Sequence, residues 1–142
     1  LLIRHIPKNQ NHNGGRERQA RINLGAIDEF RTLVINPDYE KRIKKLRDEG
    51  RFNVCIFDDY MTHGNSFNSV RNLLEKLGAN KIIFVSIGIF RNTFQRRDYT
   101  ISGDVFGRGY TYQLEAYQPL DDYEINNNAK KEVADLFDIF NS

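Results

Sequence analysis

One stretch limits the folds open to this chain more than any other, because a strand, two carboxylates, a polar turn and a helix follow one another directly. The apolar run 54–57 is too short for a helix and predicts a buried strand. Asp58 and Asp59 come next. Two neighbouring carboxylates are rarely buried without partners, so we expect them at the exposed end, where the strand leaves the sheet. Apolar residues then recur at the spacing of one buried helix face: Phe67, Val70, Leu73, Leu74 and Leu77.

The polar turn between the carboxylates and the helix has the features of an anion site. Its residues are Thr62, His63, Gly64, Asn65 and Ser66. Gly64 permits a tight turn, and the first N–H groups of the helix lie at the positive end of its dipole. Such a site beside two acids suits a phosphorylated sugar, with the acids on ribose hydroxyls and the turn on phosphate. The alternative is an ordinary strand end and helix cap, which either half of the pattern alone would favour.

The complete order resembles the phosphoribosyl-pyrophosphate-binding motif of type I phosphoribosyltransferases. That pattern has four mostly apolar residues, two acids, two variable residues and then Thr-Thr-Gly-x-Thr/Ser. Residues 54–66 match it with His63 in place of the second Thr. The resemblance implies that Asp58 and Asp59 take the 2′- and 3′-hydroxyls of ribose, and that the turn holds the 5′-phosphate mainly through backbone N–H groups. It also implies Mg²⁺ carried by the substrate, which Asp58 and Asp59 reach through water.

The reaction implied by the resemblance displaces pyrophosphate from the anomeric carbon of phosphoribosyl pyrophosphate with a nitrogen nucleophile. The two acids and the turn support binding of that substrate or of a nucleotide, and binding alone does not establish an enzyme. The alternative hypothesis is a non-catalytic relative that keeps the fold and the pocket as a nucleotide-binding regulator or a nucleic-acid-associated partner.

Three arginines follow a Gly-Gly pair upstream of the motif: Arg16, Arg18 and Arg21. Guanidinium groups match phosphate oxygens bidentately, so this segment is a candidate for closing over pyrophosphate, and the resemblance implies that it is the catalytic loop. A run of charge is otherwise typical of a solvated helix face. The region loosely resembles the competence-protein ComF-type branch of the family, through Gln19 and the stretch that begins at Arg21.

The fold class predicted for the chain is α/β, with the parallel sheet, flanking helices and Rossmann-like arrangement that the resemblance implies. A strand predicted over 81–89 completes a strand–helix–strand unit whose two strands run parallel. Ligands of such sheets bind beyond the carboxyl ends of the strands. Further predicted elements are strands over 1–6, 32–35 and 110–117, a basic helix over 38–49 after Pro37, turns over 103–109 and a helix over 128–140. An aromatic group is predicted to pack in the core: Phe90, Phe94, Tyr99, Tyr110 and Tyr112.

A chain of 142 residues, 39% hydrophobic and 28% charged, fits a single domain over 1–142. The resemblance covers Leu1 to about Ile89, and 90–142 holds the less regular C-terminal strands and helix. The chain is apolar from Leu1 onward, and the family has an earlier strand and loop that hold pyrophosphate. We therefore expect this chain to be the C-terminal part of a longer protein.

Composition limits the compartment and the partners. No apolar stretch is long enough to span a membrane and no signal peptide opens the chain, so a cytoplasmic protein is expected. The single cysteine, Cys55, is predicted to be a buried, inert thiol. A net charge of +2 gives no indication for or against nucleic acid, and the three histidines lack metal-ligand spacing. A homodimer or larger assembly is a further expectation.

Overall fold

The computed structural model describes residues 1–5, 27–61, 63–89, 94–119 and 128. Its strands are β1 (Leu2–Arg4), β2 (Leu33–Ile35), β3 (Asn53–Met61), β4 (Lys81–Ile89), β5 (Gln95–Ser102) and β6 (Thr111–Pro119). Its helices are α1 (Ile27–Phe30), α2 (Glu40–Asp48) and α3 (Asn65–Lys76), with a 3-10 helix over Pro37–Tyr39 ahead of α2. The described part of the protein is therefore mixed α/β.

Local sequence signals set the helix ends. The Asn36 side chain accepts a hydrogen bond from the Asp38 N–H at 3.0 Å, and Pro37 occupies the first position of the 3-10 helix. Gly50 follows α2 with φ 66° and Gly78 follows α3 with φ 80°, a conformation that glycine adopts without strain. The basic helix and both glycine stops predicted from the sequence are confirmed.

The described strands pair as three two-stranded sheets. β3 and β4 pair in parallel, from Asn53 opposite Lys81 to Met61 opposite Ile89, and α3 connects them. This confirms the predicted parallel strand–helix–strand unit. β1 pairs antiparallel with β2, and β5 pairs antiparallel with β6. Within the described residues, one pair of strands thus has the parallel arrangement that the sequence predicts for the whole sheet.

Helix α3 supplies the centre of the core. Its Leu73 and Leu74 are completely buried. They belong to a cluster with Phe30, Leu33, Val34, Ile35, Ile43, Phe52, Val70, Tyr99, Ile101, Val105 and Tyr110. The Tyr110 hydroxyl lies 2.7 Å from the carbonyl oxygens of Phe30 and Leu33, which ties the β5–β6 hairpin to α1 and β2. The predicted aromatic packing is confirmed for Phe94, Tyr99 and Tyr110, and Tyr112 is partly buried against the cluster. Phe90 lies outside the described residues.

β5 is a strand that the sequence pattern did not predict, and α3 bonds to its backbone through two buried asparagines. The Asn68 amide donates to the Gln95 carbonyl at 2.7 Å and accepts the Arg97 N–H at 2.9 Å. The Asn72 amide donates to the Arg97 carbonyl at 2.9 Å and accepts the Tyr99 N–H at 2.7 Å. These side chains satisfy backbone groups that a further strand would otherwise pair.

The two faces of the β3–β4 sheet have different surroundings. On the inner face, Val54 and Ile56 pack against the core, and the Phe84 ring stacks on Phe67 of α3 with centroids 4.5 Å apart. The outer face is exposed and carries Cys55, Phe57, Ile83, Val85 and Ile87. The prediction of a buried Cys55 is wrong, because alternate residues of a strand point to opposite faces and Cys55 lies on the outer one.

The helix predicted over 128–140 lies outside the described residues, apart from Asn128. Among the helices that the structure does describe, none has the length and apolar character needed to cross a membrane.

Candidate functional site

β3 does not end before the two carboxylates. Asp58 lies opposite Ser86, and pairing with β4 continues through Tyr60 opposite Gly88. The prediction that the acids stand where the strand leaves the sheet is therefore wrong: both lie inside β3. In this extension the Tyr60 ring lies directly over Gly88, where a Cβ atom would come within 2.5 Å of the ring. A glycine at this position lets the ring lie on the sheet while pairing continues.

The alternation of β3 separates the two acids. Asp58 is half-buried on the inner face, next to Ile56, and Asp59 is exposed on the outer face, next to Phe57. The Asp58 carboxylate accepts a hydrogen bond from the Asp59 N–H at 3.0 Å. Asp58 is thus the acid on the side of the sheet where α3 packs.

The surroundings of Asp58 disfavour its charge. Burial raises the pKa of Asp58 above its ordinary value of 3.8, and the hydrogen bond from the Asp59 N–H opposes this in part. The Asp59 carboxyl and the negative charge of Glu29 raise the pKa further. A hydroxyl donor or a hydrated cation at Asp58 would relieve this unfavourable charge.

The turn from β3 into α3 has its glycine in the left-handed conformation. Gly64 has φ 72° and directly precedes Asn65, the first residue of α3. The Gly64 carbonyl accepts the Asn68 N–H at 2.8 Å, so the N–H groups of Asn65 and Ser66 lie ahead of this bond, in the first helical turn. His63 is half-buried beside them. The predicted combination of a tight glycine turn and a helix N-terminus is confirmed.

A buried carboxylate that the sequence did not single out lies beside this turn. Glu29 of α1 is 1% exposed, and its Oε1 accepts a hydrogen bond from the Ser66 hydroxyl at 3.2 Å. Its Oε2 lies 2.9 Å from Arg4 Nη2. Arg4 also donates to the Thr32 hydroxyl at 2.6 Å, and Thr32 donates to the Glu29 carbonyl at 3.0 Å. The Ser66 hydroxyl donates its hydrogen bond to Glu29, so the backbone N–H is the donor of Ser66 that remains for an anion.

Glu29 links the two halves of the candidate site, since it bonds to Ser66 and its charge acts on Asp58. Four predicted site residues lie outside the described residues: Arg16, Arg18, Arg21 and Thr62. In the part of the chain that the structure describes, no group of three or more His, Cys, Asp or Glu side chains could hold a metal ion.

No family model matches the chain, and comparisons with curated proteins and with solved structures give no significant match. The site consists of a half-buried acid on the inner face, an exposed acid on the outer face, and a helix N-terminus behind a left-handed glycine.

Proposed function

We propose that this protein is a cytoplasmic phosphoribosyltransferase that binds phosphoribosyl pyrophosphate with Mg²⁺ and transfers the phosphoribosyl group to a nitrogen acceptor, releasing pyrophosphate. One observation carries the proposal: β3, with Asp58 on its inner face, leads through the left-handed Gly64 into the N-terminus of α3. The proposal includes the Rossmann-like fold of type I phosphoribosyltransferases, which the parallel β3–α3–β4 unit supports.

The phosphate half of the proposed site is the first turn of α3. The backbone N–H groups of Asn65 and Ser66, together with Thr62, His63 and Gly64, would hold the 5′-phosphate. A helix N-terminus favours an anion by about 0.3–1 kcal/mol where exposed and by up to about 2 kcal/mol where partly buried. The Glu29 charge opposes phosphate binding here, and its ion pair with Arg4 offsets that charge.

The ribose half of the proposed site is the acid pair on β3. Asp58 accepts hydrogen bonds from the 2′- and 3′-hydroxyls on the inner face, and Asp59 adds negative charge near the ribose from the outer face. The transition state has oxocarbenium character, so a nearby carboxylate also balances its developing positive charge. This arrangement gives Asp58 the larger share of the binding energy.

In the proposed reaction, the acceptor nitrogen forms a bond to the anomeric carbon while the bond from that carbon to the pyrophosphate oxygen breaks. The electron pair leaves with pyrophosphate, and the nitrogen loses a proton. Arg16, Arg18 and Arg21 are proposed to close over the pyrophosphate and exclude water. The carboxylate oxygens of Asp58 and Asp59 are ligands of the kind Mg²⁺ accepts through water. Mg²⁺ that arrives with the substrate would neutralise part of the pyrophosphate charge.

A second candidate function is a nucleotide-binding regulator or nucleic-acid-associated partner without turnover. The observation that favours it is the contact between the Ser66 hydroxyl and the Glu29 carboxylate, 3.2 Å apart. A buried negative charge beside the first turn of α3 would weaken phosphate binding relative to a turn without one. A weakly held phosphate suits a reversible sensor better than an enzyme that must fix its substrate during reaction.

Calorimetric titration of the protein with phosphoribosyl pyrophosphate and Mg²⁺ tests the shared binding site. We expect binding by the unmodified protein, its loss in the Asp58→Asn/Asp59→Asn double variant, and a larger loss from Asp58→Asn alone than from Asp59→Asn alone. Asp48→Asn on α2 is the matched control, since its carboxylate is exposed and lies on a different element. Unchanged affinity in the double variant would show that the acids do not hold ribose.

Pyrophosphate release with a panel of nitrogenous bases separates the two candidate functions. If the protein is a transferase, it should release pyrophosphate with one of the bases. Three substitutions should reduce that release while calorimetric binding of phosphoribosyl pyrophosphate persists: Arg16→Ala, Arg18→Ala and Arg21→Ala. Binding without release under every base supports the regulator.

A further inference from the structure

The outer face of the β3–β4 sheet is a second surface whose chemistry the proposed function leaves unexplained. Its five apolar or thiol residues are Cys55, Phe57, Ile83, Val85 and Ile87, and all are exposed. Phe57 is 74% exposed and Ile87 is 83% exposed. Cys55 lies opposite Ile83 and Phe57 opposite Val85, so these side chains form one continuous patch across both strands.

A patch of this kind needs a cover. Parallel strands are almost always buried on both faces, and the inner face of this pair already packs against α3 and the core. Continuous exposed apolar surface is rare on monomeric proteins and marks sites of interaction. None of the residues that the structure describes covers this face, so its contact is with something else that lies flat on the sheet.

The charges at the two ends of the outer face indicate what that partner is. Lys81 begins β4, and Asp59 stands near the far end of β3, both exposed and both on this face. Within the described residues, neither side chain forms an ion pair. The face is thus positive at one end, apolar along its length and negative at the other end.

We infer that the outer face is the contact surface between two copies of this chain, packed face to face about a twofold axis. An axis in the plane of contact and perpendicular to the strands brings the Lys81 end of each copy to the Asp59 end of the other, with the apolar patches between. Lys81 of one copy and Asp59 of the other then lie at neighbouring strand positions, offset by about 4.8 Å across the sheet. A lysine side chain spans that offset. The alternative axis, along the strands, sets Lys81 against Asn53 and leaves both charges without a partner. A surface complementary to itself in this way is what a twofold dimer requires.

Sedimentation velocity of the ligand-free protein tests the dimer without reference to the proposed function. We expect a dimer that Phe57→Asp and Ile87→Asp each weaken by at least about 100-fold, because twofold symmetry buries every introduced charge twice. Tyr117→Asp on β6 is the matched control, since that side chain is 69% exposed on another sheet and its substitution should leave the dimer intact. Circular dichroism and urea unfolding confirm that each variant folds.

Charge reversal tests the orientation. Lys81→Asp and Asp59→Lys should each weaken the dimer by about 10-fold through like-charge contact, and the double variant should regain most of the lost affinity. A short bismaleimide should also join two copies through Cys55, with no product in Cys55→Ser and little in Phe57→Asp.

Two results would overturn the inference. One is a monomer at about 200 µM, well above the dissociation constant of a stable dimer; the cover would then be another segment of the chain or a different protein. The other is a dimer that survives Phe57→Asp and Ile87→Asp in folded protein, which would place the contact elsewhere.

Discussion

The two strand pairs that flank α3 are completed in opposite ways. On the β5–β6 side, Asn68 and Asn72 bond to the backbone of β5, and buried rings of Tyr99 and Tyr110 fill the space beneath. On the β3–β4 side, α3 covers the inner face alone, and the outer face stays apolar and exposed. The backbone edge of β5 is therefore paired by α3, whereas the outer face of the parallel pair stays uncovered by the residues that the structure describes.

The contrast between the two sides of α3 indicates where stability and binding are located. The parallel unit carries an acid with a raised pKa, a helix N-terminus and an exposed apolar face, and each of these is unfavourable or unused in the isolated protein. Functional sites commonly hold such features at the expense of stability, and well-packed regions compensate. Substitutions at the seam between α3 and β5 should therefore lower stability, and substitutions in the parallel unit should mainly change binding.

Among the substitutions of polar residues and of glycine, the largest effect is expected from Asn72→Ala. It leaves the Tyr99 N–H without its amide acceptor and removes one of two donors to the Arg97 carbonyl, which keeps Arg71 Nη2 at 2.7 Å. A buried unsatisfied group costs about 1–3 kcal/mol, so we expect urea unfolding to show a loss of about 2 kcal/mol. The exposed Asn53→Ala should change the free energy of unfolding by less than about 0.5 kcal/mol. Equal losses in both variants would contradict the view that the seam is the source of stability.

Gly64→Ala should have an intermediate effect on stability. Gly64 has φ 72°, and a side chain in the left-handed region costs about 1 kcal/mol. Gly109→Ala is the control, because the φ of Gly109 lies outside the left-handed region and no atom lies within 4 Å of an added Cβ. Thermal unfolding of the two variants should separate them, and a Gly109→Ala variant as unstable as Gly64→Ala would argue against strain at the turn.

Two acids should respond to pH in opposite directions. Burial raises the pKa of Asp58 above 3.8, so its stabilising contribution is present below 3.8 and is lost as the pH rises through the raised pKa. Burial also acts to raise the pKa of Asp98, but hydrogen bonds and charges from Arg71 and Arg96 outweigh it and lower that pKa. The Asp98 contribution is therefore present above 3.8 and is lost as the pH falls through the lowered pKa.

At about pH 7, Asp58→Asn should raise the free energy of unfolding and Asp98→Asn should lower it, each by about 0.5 kcal/mol or less after solvent screening. As the pH falls below both pKa values, the two differences should become small. Urea unfolding across this range measures both. If the two substitutions shift stability with the same sign at about pH 7, the contrast between the acids is incorrect.

The smallest effect is expected from Phe57→Ser, measured where the protein is monomeric. Phe57 is 74% exposed, so its removal should change the free energy of unfolding by less than about 0.5 kcal/mol. Phe52→Ser removes a ring that is 3% exposed and should cost about 3 kcal/mol or more. A large loss from Phe57→Ser in the monomer would mean that the outer face is covered within one chain.

The sequence predicts the β3–α3–β4 unit well because its signals are local. The apolar run 54–57, the helical spacing from Phe67 and the stop at Gly78 all act over a few residues. The glycine turn into α3 follows from the same neighbourhood. Whether Cys55 is buried depends instead on which side of the sheet packs against the core. The residues around Cys55 do not predict that side.

The features that the sequence did not predict depend on distant partners. β5 contains the charged run Arg96-Arg97-Asp98. It pairs with β6 along its length, and amides 27 positions earlier bond to its backbone. Glu29 is an acid between Ile27 and Phe30, and its burial rests on Arg4, 25 positions away. In the extension of β3 past Asp58, the Tyr60 ring lies over a glycine in the neighbouring strand.

Asn68 and Asn72 also fix the alignment of α3 along β5. Four residues of a helix advance about 6.0 Å, and two residues of a strand advance about 6.6 Å, so successive amides meet successive peptide groups on the same edge. If β5 slipped by one residue along α3, the peptide groups beside the two amides would point away from the helix. If it slipped by two residues, one of the two amides would lose its partner in the strand. The register of β5 is therefore set by the helix as well as by the turn over 103–110. Residues inserted in that turn should lengthen it without moving the strand.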